Sequence, residues 1–234
     1  MDVLIELARG PLFRFSLAIA LLGLARHLAL SVAGLQRARA RAGDKSLGLG
    51  QAVFRTAARL NPLRYFHGNR WLYSLLSVCF HVGIILVPVF FAGHVRLWQR
   101  GLGIGWPALP ASIADVLTIT TIATAVLLIV GRAASAASRA LSGIGDWSLP
   151  ALIGVELLTG YMLAHPSTSL LAYEPAMLVH ALVGDLLLVV TPFSKIAHCA
   201  LLPLSQMVVE MAWRLVPGAG RDVTKTLGKE GQPI

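Results

Sequence analysis

Apolar residues fall in five long blocks, separated by polar or Gly/Pro-rich segments. Blocks of about 20 apolar residues predict membrane-spanning helices, because at about 1.5 Å per residue they cross a hydrocarbon layer of about 30 Å. The pattern predicts spans at about 11–35, 71–98, 111–130, 147–164 and 172–203, with a basic tail over 204–234. Pro88 predicts a kink in the second span. In the polar segment from Gln36 to Arg70, Gly43–Gly50 reads as a loop and Gln51–Leu60 as a short amphipathic helix on the membrane surface. The expected fold is all-α: a single integral membrane five-helix bundle.

Composition agrees. Only 13% of the 234 residues are charged and 56% are hydrophobic, with a mean hydropathy of +0.72; a soluble domain carries about 25% charged residues. The net charge of +9 sits in connecting segments, where topology and anionic lipid explain it better than nucleic acid does. Trp71, Trp98, Trp106, Trp147 and Trp213 fall near predicted span ends, as an interfacial belt requires. Cys79 and Cys199 lie in apolar runs and read as buried small side chains; no C-x-x-C-H occurs, which excludes covalent c-type haem attachment.

Fourteen Lys and Arg fall in the first loop, the third loop and the tail, against Arg9, Arg14, Arg96 and Arg100 on the opposite side. By the positive-inside rule the fourteen are cytoplasmic. A bacterial inner-membrane protein is expected, with its N-terminus retained and outside and its C-terminus in the cytoplasm.

The polar residues inside the spans carry the candidate chemistry. His180 and His198 are eighteen residues apart in the last block, five turns of a continuous helix, so both imidazoles would leave one face about 27 Å apart. His67 and His81 are fourteen apart in and before the second span, close to four turns. With the two spans antiparallel, His67 matches the depth of His198 and His81 that of His180. A bundle core with one imidazole on each of two facing helices suits a flat macrocycle ligated on both faces. Haem iron so ligated carries electrons and does not bind O₂. Haem is therefore expected between helices 2 and 5. Zinc fits less well, since its four ligands must converge on one ion.

These residues resemble a known family. The run TPFSKIAH ending at His198, the His-x17-His pair and the five-span plan resemble the cytochrome b gamma subunit of respiratory nitrate reductase (NarI-like). The stretch NPLRYFHGNRWLYSLLSVCFHVGIILVPVFFAGHVRLW, with WPALPASIADVLTITT after it, looks closer to DsrM-like and Hmc/Tmc-type subunits of sulfate-reducer transmembrane complexes. The resemblance covers roughly residues 60–203. It implies a membrane cytochrome with two haems b, exchanging electrons with menaquinone or another quinone near the outer haem. It also implies a cytoplasmic iron–sulfur subunit, and further subunits, as partners. Carried onto this chain, His67 and His198 hold the inner haem, and His81 and His180 the outer one. This chain departs from the family in its wider spacing on span two, and the alternative leaves His67 out and binds one haem.

Around this frame, Arg70 and Lys195 are candidates to pair with haem propionates. His94, Arg96 and His165 gather at predicted outer span ends and are quinone-site candidates, since quinone chemistry moves protons and histidine titrates near neutrality. Asp115, Glu156 and Asp185 lie in or at the edge of spans, to pair with Arg26 or His27 or to relay protons. The competing reading is a proton-coupled transporter that uses the intramembrane His, Asp and Glu without haem.

Overall fold

The computed structural model describes residues 1–41, 49–61, 71–212 and 218–231; the described residues are helices and connecting turns, with no strand among them. Among the described residues, five helices are long and apolar enough to cross a membrane: 2–41, 71–90, 111–134, 144–164 and 173–193. The multi-pass membrane character expected from the hydropathy pattern holds. The chain divides into two compact units, residues 1–18 with 65–189 and residues 19–64 with 190–234.

The first helix opens with α1 (Asp2–Leu7), passes through a π-helical turn at Ala8–Leu12 that contains Pro11, and continues as α2 (Phe13–Arg41). Proline has no N–H to give the helical ladder, and the wider turn accommodates it.

In the larger unit, α4 (Trp71–Phe90) packs on α6 (Ala111–Ala134), and α6 on α8 (Ile144–Ala164). Ala114, Thr118, Thr121, Thr124 and Ala125 make the buried stripe of α6. Its polar groups cost little, because each hydroxyl donates back to its own helix: Thr118 to the Ala114 carbonyl at 2.7 Å, Thr121 to Leu117 at 2.6 Å, Thr124 to Thr120 at 2.8 Å. Opposite lies Gly83, where a β-carbon would collide with Thr121 Oγ1 and reach 3.2 Å from the Leu117 carbonyl. Such small-residue contacts let helices approach closely where lipid supplies no hydrophobic drive.

The second span is shorter than the expected 71–98. It stops at Phe90, Phe91 is extended (φ −64°, ψ 133°), and a separate helix α5 (Ala92–Leu102) follows, ending at Gly103 with φ 71°. Two of the carbonyls left over at the end of α4 find donors downstream: Trp106 Nε1 donates to Val89 at 2.9 Å, and the Leu109 N–H to Phe90 at 2.9 Å. Pro88 marks the place, but these later residues satisfy the break. Beyond α6, the short α7 (Ala136–Ala140) leads into α8, and Arg132 ties the connection by donating to Ser142 Oγ at 2.8 Å and facing Asp146 at 3.9 Å.

The last block is also interrupted. Helix α9 (Tyr173–Val190) gives way to 3-10 turns at Thr191–Phe193 and Lys195–Ala197 before α10 (His198–Ala212) begins. Ser194 between them is extended, and its Oγ accepts from the Ile196 N–H at 3.2 Å. An unbroken helix would put His180 and His198 on one face, but Pro192 and Ser194 interrupt it.

In the smaller unit, α3 (Leu49–Leu60) is the amphipathic helix expected over Gln51–Leu60, and it packs on α10. Leu35 and Met207 are buried together with Leu204 against them. His27 on α2 donates from Nε2 to the Pro192 carbonyl at 3.0 Å, and a β-carbon on Gly23, one turn earlier, would lie 2.5 Å from Pro192 Cβ. His27 thus pairs with backbone and not with an acidic side chain. The unit closes with α11 (Ala219–Thr226).

Candidate functional site

His180, on α9, has a ring 18% exposed and held from one side by α8. Its Nδ1 donates to the Glu156 carbonyl at 3.1 Å, with Glu156 Oε1 at 3.2 Å and Thr159 Oγ1 at 3.3 Å. Gly160 makes room, since a β-carbon there would lie 3.0 Å from His180 Cε1. Gly184 does the same for Glu156, whose Oε1 would lie 3.0 Å from a β-carbon at that position. Glu156 Oε2 and Asp185 Oδ2 are buried without a hydrogen-bond partner, and Asp185 is only 5% exposed. Unsatisfied carboxylate oxygens in an apolar span cost about 1–3 kcal/mol each.

A second ring stands against His180. His94, on α5, lies with its centre 6.1 Å from that of His180 and its plane within 1° of parallel. Its Nδ1 is buried and has no hydrogen-bond partner. Burial lowers the His94 pKa from the ordinary histidine value.

The other histidines divide by which nitrogen is engaged. His81, on α4, donates from Nδ1 to the Ser77 carbonyl at 2.7 Å, and His198 from Nδ1 to Lys195 at 2.6 Å. In His81, His180 and His198 alike, Nδ1 carries the proton and donates to a backbone carbonyl. That is the tautomer of a metal-bound histidine whose other nitrogen is fixed by a carbonyl. His27 uses Nε2 for its carbonyl instead, and His165 uses both nitrogens: Nδ1 donates to Tyr161 at 3.1 Å and Nε2 lies 3.2 Å from Asp115 Oδ2.

His67 and Arg70 lie outside the described residues. Lys195 and Arg96 are exposed, and Arg96 shares α5 with His94 while His165 sits at the end of α8 beside Asp115. Sequence reasoning assigned His94 to a quinone site and missed its approach to His180. Among the described residues no three His, Cys, Asp or Glu converge as a metal cluster.

Compared with known proteins, the chain is similar to a curated protein of Nitratidesulfovibrio vulgaris (strain Hildenborough), 29% identical over 214 residues, which are 89% of this chain and 93% of that one. No family model and no solved structure matches it.

Proposed function

We propose that this chain is a dihaem cytochrome b subunit of a respiratory oxidoreductase complex, passing electrons across the membrane between a quinone pool and a cytoplasmic iron–sulfur partner. The observation that carries the reading is the placement of His180 in an apolar span with its Nδ1 donating to the Glu156 carbonyl, the tautomer of a metal ligand fixed by a carbonyl. Five apolar helices supply the low-dielectric frame. Haem, when bound, supplies a one-electron carrier whose potential follows its axial ligands and their hydrogen bonds. The chain's own residues orient the imidazoles.

The inner ligands, His67 and His198, rest on the sequence pattern and the family resemblance. Lys195, beside His198 in sequence, and Arg70 remain the propionate candidates. A quinone would lie near the outer haem, where Arg96 and the His165–Asp115 pair offer a cation and a proton acceptor. A proton-coupled transporter would also use Glu156 and Asp185, but gives no reason for the repeated histidine tautomer. Reduced-minus-oxidised visible spectroscopy of the purified protein tests the choice: a b-type cytochrome spectrum is expected, and a colourless protein would refute the reading.

A further inference from the structure

We propose that the C-terminal end of α2 carries a binding site for an acidic phospholipid, whose headgroup phosphate lies between Arg37 and Arg41 above a notch at Gly34 and Ala38. All four residues belong to α2 and to the smaller unit, so the site is independent of any cofactor held by the histidines.

An open depression of about 500 Å³ lies on this helix, lined among the described residues by Gly34, Arg37, Ala38 and Arg41. Gly34 and Ala38, one turn apart, form its half-buried floor, and the exposed Arg37 and Arg41, also one turn apart, flank it. A β-carbon on Gly34 would meet nothing within 4 Å, so the space above the glycine is open. The neighbouring face of α2 is fixed by α10, where Leu35 is buried with Met207 and Leu204. Among the described residues neither Arg37 nor Arg41 meets a carboxylate.

Basic residues in the last turn of a membrane helix also offset its dipole and set topology, and Arg39 serves those ends as well as its neighbours do. Neither end calls for a notch between two cations. Guanidinium groups one turn apart can donate together to the oxygens of one phosphate. The rest of the ligand is apolar, because the site closes a helix, 2–41, with the hydropathy of a membrane span. One turn back from Gly34, towards the hydrocarbon, Leu30 is half exposed on the same face. A phospholipid offers its phosphate to the arginines and an acyl chain to Leu30, whereas a free phosphate meets only the first demand. A zwitterionic headgroup brings its own cation to compete with the arginines, so a net negative lipid is selected.

The test titrates the purified full chain in detergent with phosphatidylglycerol, or with phosphatidylcholine of the same acyl chains, and counts bound lipid by native mass spectrometry. Preferential retention of phosphatidylglycerol is expected. Arg37→Gln and Arg41→Gln should each weaken it about fivefold, the contribution of one cation beside an anionic lipid. Arg39→Gln removes the same charge about 160° around the helix and should leave retention unchanged. Gly34→Leu keeps every charge and fills open space without a clash, and it should also weaken retention. Millimolar inorganic phosphate should not displace the lipid. Equal losses in the three arginine variants would mean diffuse surface attraction, displacement by phosphate would mean a site for a soluble anion, and equal retention of the two lipids would mean no headgroup recognition; each result would overturn the proposal.

Discussion

His180 is pinned to α8 through Glu156, its Nδ1 3.1 Å from the Glu156 carbonyl and 3.2 Å from Oε1 of the same residue. One residue thus supplies both a backbone acceptor that fixes the ring and a side-chain acid within hydrogen-bond distance of it. In metal sites such outer partners raise the basicity of the ligand, and their loss costs about tenfold in metal affinity.

Glu156→Gln keeps the shape and the backbone bond but removes the acid. The expected result is retained haem with the midpoint potential of the outer component raised by about 60 mV, the one-electron equivalent of a tenfold effect. Redox titration of the two components checks it; an unmoved potential would show that the carboxylate does not act on the ligand.

Gly160→Val should cost the outer haem, because its β-carbon would lie 3.0 Å from His180 Cε1 and the added methyls reach further. About half of the chromophore is expected to disappear. Gly154→Ala on the same helix, where a β-carbon meets nothing within 4 Å, should leave the haem content unchanged. Pyridine haemochrome assays on the two variants compare them.

Gly83→Ala forces a β-carbon into Thr121 on α6. Overpacking of this kind costs about 1–3 kcal/mol. Denaturation in detergent should show that loss, and wild-type stability in the variant would contradict the close α4–α6 contact.

His27→Ala removes the donor to the Pro192 carbonyl, at 3.0 Å. A net loss of about 1 kcal/mol in stability is expected, with both haem components preserved. Spectra that change would assign His27 a part in cofactor binding that its engaged Nε2 argues against.

The five spans were legible because a twenty-residue apolar block has few other solutions, and the amphipathic α3 because its polar and apolar residues alternate at helical spacing. Two breaks were not. The end of α4 at Phe90 depends on Trp106 and Leu109, which lie far along the chain and supply donors to Val89 and Phe90. A proline alone is equally consistent with a kink. Between His180 and His198, Thr191-Pro192-Phe193-Ser194 held a breaker signal, which the apparent five-turn histidine spacing outweighed. The approach of His94 to His180 follows from the turn at Phe91, and no periodicity within one helix could report it. His180 itself was legible, as an ionisable residue inside an apolar block; its anchor, the Glu156 carbonyl, was not, because a backbone acceptor carries no sequence mark.

The haem-to-protein ratio of the purified, detergent-solubilised chain tests the central claim most directly. Two noncovalently bound haems b per chain are predicted. A fully folded, purified chain that contains none would contradict the account.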